Sequence, residues 1–259
     1  MARCLSWLIS SFIFLSLTIQ AQDIPNIAAA ANVRFALADI QQAFTQKTGL
    51  TVNISYGSSG QLVQQIRHGA PFQLFLSADQ DYAKQLVDLG LTKQAPTVYA
   101  MGRLALVKAK SSNLILDPTL KQLAIELTKS RIERFAIASP EHAPYGLAAK
   151  QALQTSGLWQ RIKPKLVYGE NVAQAAQFAL SQSAQGGIIA LSLAKSSNFT
   201  QQGEFVAIDA KLHQPLKQAM VLTKQSGRTA LSFYQFMQSK TAQRILVDYG
   251  FDLPNSTSH

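Results

Sequence analysis

Apolar positions along this chain repeat in two alternating rhythms. Residues 27–31 form a small apolar run, and Val33, Leu37, Ile40 and Phe44 follow at helical spacing with Gly49 as the stop. Leu50, Val52, Ile54 and Tyr56 then alternate as a strand does, Gly57-Ser58-Ser59-Gly60 turns the chain, and Leu62, Val63 and Ile66 resume the helical period. Residues 72–76 predict a third strand, with Tyr82, Leu86 and Leu89 on a helix closed by Gly90. The unit returns later in the chain. Strands are predicted over 135–138, 166–168 and 187–191, with one helix ending near Ser156-Gly157 and another running from Val172 to about Ser183.

This alternation predicts an α/β fold with mostly parallel sheets covered by helices on both faces. A chain of 259 residues is long enough for two such sheets. We expect two lobes, with residues 98–107 crossing into the second and 217–222 returning. Lobe 1 then comprises residues 22–101 plus 217–259, and lobe 2 residues 102–216. Two C-terminal helices, over 229–239 and 241–249, should pack on the first lobe. Ligands of such folds sit beyond the carboxyl ends of the strands, where helix N-termini open, here in the cleft between the lobes.

The first 21 residues follow neither rhythm. Arg3 precedes an apolar, uncharged run to Ile19, and Ala21 offers a small residue for cleavage, the pattern of an exported protein's signal peptide. As a membrane anchor the run is short. Cys4 is the single cysteine and precedes the run, so neither a lipid-attachment signal nor a disulfide framework is expected. A mature chain without a thiol suits an oxidising compartment, and a soluble exported binder points to the periplasm. The net charge of +10 is spread over residues such as Lys84, Lys93, Arg103, Lys121 and Lys150. Nucleic-acid binders cluster such charges among aromatics, so no nucleic-acid partner is expected, and the surplus acts at most as a mild attraction for anions.

Four strand-to-helix junctions carry small, hydroxyl or amide residues: Ala31-Asn32, Ser58-Ser59, Tyr145-Gly146 and Asn171-Val172. A helix N-terminus presents free backbone N–H groups and a partial positive charge, so each can hold an anion without Lys or Arg. Taken singly, each also fits an ordinary cap or turn. All four, however, lie at the same end of their strands, where one cleft could collect them around a tetrahedral oxyanion. The four histidines, His68, His142, His213 and His259, lack metal-ligand spacing, and no nucleophile elbow or phosphate-binding loop occurs. Glu141-His142 is the acid–base pair on which an enzyme reading would rest.

At these junctions the chain resembles the periplasmic molybdate-binding proteins of ABC importers. The matching pieces are Ala29-Ala30-Ala31-Asn32, Gly57-Ser58-Ser59-Gly60, Gly69-Ala70-Pro71-Phe72 through Phe75-Leu76-Ser77-Ala78-Asp79, Ala143-Pro144-Tyr145-Gly146-Leu147-Ala148 and Tyr249-Gly250-Phe251. The resemblance implies a type II periplasmic binding-protein fold that holds molybdate, and tungstate of nearly the same size, between its lobes. Its first-lobe contacts would be Asn32 or neighbouring Ala31, and Ser59; its second-lobe contacts would be Tyr145 and the N–H of Val172. Many members have serine where Asn32 stands, alanine where Tyr145 stands and tyrosine where Ala190 stands, so Tyr145 is expected to supply the missing hydroxyl from a different place. Molybdenum would be bound only as the anion, with no cofactor, and the partner would be a membrane permease. We expect a monomer and no enzymatic activity. The alternatives are a binder or sensor of another oxyanion such as sulfate, and an enzyme on the same fold.

Overall fold

Gly49 and Gly90 end their helices in the left-handed region, at φ +70° and +66°, where only glycine is unstrained. The computed structural model describes residues 24–254 except 182. The expected leader therefore lies outside the described residues. Strand β1 (Asn26–Ala30) leads through one 3₁₀ turn, Ala31–Val33, into α1 (Arg34–Thr48). The unit repeats as β2 (Asn53–Gly57), α2 (Ser59–Arg67), β3 (Phe72–Ser77) and α3 (Gln80–Asp88). Only Arg103 separates β4 (Thr97–Gly102) from β5 (Leu104–Ala109). Next come α4 (Lys121–Thr128), β6 (Phe135–Ala138), α5 (Pro144–Thr155), the short α6 (Trp159–Ile162), β7 (Leu166–Gly169) and α7 (Val172–Leu180). After β8 (Gly186–Ala190), the short helices α8 (Leu191–Ala194) and α9 (Ser197–Thr200) precede β9 (Gly203–Ala207). The chain then continues through β10 (Leu216–Leu222), α10 (Arg228–Met237) and α11 (Lys240–Asp248).

Two five-stranded sheets result, in the orders β2-β1-β3-β10-β4 and β7-β6-β8-β5-β9. Each is mixed. Strand β10 runs antiparallel to both its neighbours in the first sheet, and β5 does the same in the second. Strand β4 therefore ends in one sheet and β5 begins in the other, with Arg103 as the step between them. The return step lies between β9 and β10, because β10 is already paired with β3 and β4.

Helix α1 buries Ala36, Leu37, Ile40 and Phe44. Phe44 meets the rings of Phe233 and Phe236 edge-on at 5.1 and 5.5 Å, so α10 packs on the first lobe as expected. Truncating Phe44 to Ala would cost about 3–5 kcal/mol by transfer and cavity terms. After α11 the chain pairs with the end of β4: Met101 and Asp252 exchange backbone hydrogen bonds at 2.7 and 3.0 Å. Among the described residues no helix is long and apolar enough to cross a membrane.

The parallel registers align Ala30 with Gly57 in one sheet and Ala138 with Gly169 in the other. The carboxyl ends of β1, β2, β6 and β7 are thereby level within each sheet, and the helices that follow them begin along one line.

Candidate functional site

The four junctions meet around one small cavity between the lobes. From the first lobe it takes Ala30, Ala31, Asn32, Gly57, Ser58, Ser59 and Ala78; from the second, Ala143, Pro144, Tyr145 and Val172. No lining residue is charged. Among the described residues no cluster of His, Cys, Asp and Glu could hold a metal ion.

Three helices aim their N-termini at this space. Ser59 and Val172 are the first residues of α2 and α7, and Tyr145 is the second residue of α5, behind Pro144. Pro144 lacks an N–H in any case, and its fixed φ suits the first helical position. The caps leave specific donors over. Ser58 Oγ accepts from Gln61 N, the Gly60 N–H goes to the His142 carbonyl, and Asn171 Oδ1 accepts from Ala173 N and Gln174 N at 3.0 and 3.1 Å. The N–H groups of Ser59, Tyr145 and Val172 have no acceptor in their own helices, and among the described residues no turn or loop bond claims them. Their positive potential adds to that of the helix ends.

The two hydroxyls are oriented by what they accept. Ser59 is fully buried, and its Oγ accepts the Ala78 N–H at 3.0 Å. Tyr145 is 2 % exposed, and its oxygen accepts from Asn32 Nδ2 and Gln218 Nε2, each at 3.4 Å. Among the described residues neither hydroxyl has an acceptor for its own proton, so each is a donor in reserve. Burial holds the Tyr145 pKa far above the usual phenol range, outweighing the opposite pull of the two amide donors. It is a neutral donor at any physiological pH.

Asn32 lines the cavity, but its NH₂ group is turned to Gln218 Oε1 at 2.8 Å and to Tyr145. Its backbone carbonyl accepts from Ser192 Oγ at 2.8 Å, and its buried Oδ1 has no partner among the described residues. The amide thus holds the tyrosine in place instead of pointing both donors at a ligand. Ala190 is fully buried at the end of β8 and lies outside the cavity lining. His142 also lies outside the lining. Its Nε2 is 3.1 Å from the Glu170 carbonyl and its Nδ1 is 3.4 Å from Ser139 Oγ, both positions that fix a loop. Gln218 escaped the sequence reading, although its signal was present: an amide directly before the apolar run Ala219–Leu222 that shares its period-two face with Leu216 and Met220, while the charged Lys217 takes the other face.

Residues 25–252 match the family model described as bacterial extracellular solute-binding protein. A molybdate-binding protein of Rhodobacter capsulatus is 35 % identical over 227 residues, 86 % of either chain. The solved periplasmic molybdate-binding protein of Azotobacter vinelandii superposes with a TM-score of 0.80 at 29 % identity, over 89 % of this chain and 99 % of that one. A sulfate-binding protein of Mycobacterium tuberculosis shares the fold at a TM-score of 0.73 and 15 % identity, over 90 % and 87 % of the two chains. By the extent of these matches, the chain belongs to the bacterial extracellular solute-binding protein family.

Proposed function

We propose that this protein captures molybdate between its lobes and delivers it to the membrane permease of an ABC importer. The observation that carries the reading is the set of unclaimed donors: the hydroxyls of Ser59 and Tyr145 and the N–H groups of Ser59, Tyr145 and Val172, drawn from both lobes onto an uncharged cavity. A fully deprotonated tetrahedral dianion offers acceptors on every side and has no proton of its own to place. In a dry site, fixed dipoles and N–H groups stabilise its charge without the desolvation penalty of an opposing ion. Sequence kinship with the molybdate-binding protein of Rhodobacter capsulatus supports molybdate over other dianions. Tungstate, with the same charge and nearly the same size, binds as well.

In this reading residues 1–21 are a leader removed on export, the mature protein works in the periplasm as a monomer, and it catalyses no reaction. Residues 22–101 with 217–259 form one jaw and residues 102–216 the other. Calorimetry of the mature protein, stripped of anions and titrated with molybdate, tungstate, sulfate and phosphate, tests it. Tight one-to-one binding of the first two is expected. Binding of none, or of sulfate as tightly as molybdate, overturns the molybdate assignment.

A further inference from the structure

We propose that Gln218 is a positioning residue that makes the Tyr145 hydroxyl an obligate donor toward the bound oxyanion, an inference that rests on the reading of the cavity given above. Gln218 is fully buried on β10, the strand by which the chain re-enters the first sheet. It sits at an irregularity in that strand: the register with β4 shifts between Gln218 and Ala219.

Its amide has only one workable orientation. Gln218 Nε2 donates to the Ala78 carbonyl at 3.1 Å, and a carbonyl can only accept, so a flipped amide would set oxygen against oxygen. With Nε2 fixed there, Oε1 faces Asn32 Nδ2 at 2.8 Å and fixes that amide in turn. Asn32 Nδ2 then presents an N–H to the Tyr145 oxygen at 3.4 Å, and the second N–H of Gln218 Nε2 lies between that oxygen at 3.4 Å and the Leu216 carbonyl at 3.5 Å. A phenol oxygen that accepts two donors has to direct its own proton elsewhere, and the cavity it lines is where an acceptor arrives with the anion. The chain of constraint runs from the Ala78 backbone through Gln218 to Asn32 and Tyr145, joining both lobes.

Gly102 completes the arrangement. A Cβ there would lie 2.3 Å from the Tyr145 oxygen and 2.6 Å from Gln218 Nε2, so the last residue before the step between lobes has been kept bare where these two side chains meet. The signal is specific to this pair of groups, because Gly102 has ordinary strand geometry and no positive φ.

The test is a double-mutant cycle read by calorimetry with molybdate: the unaltered chain, Gln218→Met, Tyr145→Phe and the double variant. Gln218→Met should weaken binding by about tenfold or more when Tyr145 is present, and by no more than about threefold when Tyr145→Phe is already in place. Equal losses in the two backgrounds would mark Gln218 as merely structural and overturn the proposal, as would no loss in either. Should Gln218→Met fold poorly, Gln218→Glu keeps the shape. Its ionised carboxylate accepts a hydrogen bond from the Tyr145 hydroxyl and draws that donor away from the anion, so binding should recover as falling pH neutralises it, and Tyr145→Phe should shrink that recovery. An undiminished recovery in the Tyr145→Phe background would mean simple charge repulsion and overturn the proposal. If the unaltered chain binds no tetrahedral oxyanion, the reading of the cavity falls and this proposal with it. If it binds and Tyr145→Phe changes nothing, the cavity reading stands and only the role of Gln218 falls.

Discussion

The backbone N–H of Gly60, in the first turn of α2, donates across the cleft to the carbonyl of His142 at 3.0 Å. A helix-end donor that could have faced the ligand instead fastens one lobe to the other. A Cβ on residue 60 would lie 2.9 Å from that carbonyl oxygen and 3.0 Å from the His142 Cβ, so the lobes could not approach as closely. Gly60→Ala should therefore hold the cleft slightly open and weaken anion binding by about tenfold, roughly 1.4 kcal/mol. Small-angle scattering should show less compaction on molybdate addition than in the unaltered chain. Equal compaction and equal affinity would show that closure does not depend on this contact.

Ser59→Ala and Tyr145→Phe both remove a hydroxyl but should differ in their effect on folding. A hydrogen bond to a charged group is worth about 1.5–3 kcal/mol, so each should lower affinity by roughly ten- to a hundredfold. Ser59 also takes up the Ala78 N–H, and its loss leaves that buried donor alone. The melting temperature of ligand-free Ser59→Ala should fall; in Tyr145→Phe the Asn32 and Gln218 amides keep their 2.8 Å bond to each other and lose only the two 3.4 Å contacts to the phenol oxygen, so its melting temperature should fall less. Paired calorimetry and thermal melts check this. A Tyr145→Phe protein that binds as before would restrict that residue's role to its N–H and ring.

Much of this was legible in the residues. Period-two and period-3.6 patterns located β1, α1, α2, β6, α5 and α7 to within a few residues, and the left-handed glycines closed helices where they were expected to. The convergence of Asn32, Ser59, Tyr145 and Val172 followed from one rule, that helices after parallel strands open at the same end. Strand direction was not legible. Apart from Lys108 and Lys217, β5 and β10 are buried on both faces, and a buried strand reads the same whichever way it runs. β9 was missed because it is a half-exposed edge strand with little apolar alternation. The aim of the Asn32 amide was likewise beyond reach, since it depends on Gln218, which lies 186 residues away in the sequence.

His213 gives the fold a dependence on pH. It stands in the return step between β9 and β10, with Nδ1 2.7 Å from the Gln214 carbonyl and a buried Nε2 that has no partner among the described residues. Burial first, and then Arg103, hold its pKa below the ordinary 6.5, against the opposite pull of the Gln214 carbonyl. The unfolded chain therefore takes up this proton more readily than the folded one, so the stability contributed is present above 6.5 and is lost as pH falls below it. Thermal melts between about pH 7 and 5 should show a shallower acid slope for His213→Gln than for the unaltered chain. Identical slopes would mean that another group governs acid sensitivity.

Selectivity follows from which donors can move. The N–H groups of Ser59, Tyr145 and Val172 are fixed by three separate helices. The hydroxyls of Ser59 and Tyr145 are held by Ala78, Asn32 and Gln218. A cavity built this way cannot contract around a smaller dianion without losing hydrogen bonds to some of its oxygens. Each buried donor left unpaired costs about 1–3 kcal/mol, so two lost contacts separate ligands by roughly a hundredfold or more. Competition titration at constant pH should show molybdate and tungstate displacing one another, while excess sulfate displaces neither. Releasing one hydroxyl should narrow the gap: in Tyr145→Phe the molybdate affinity should fall further than the sulfate affinity, because a smaller anion already made poor use of that donor. A uniform loss for both anions would mean that size is discriminated elsewhere, at the backbone N–H groups alone.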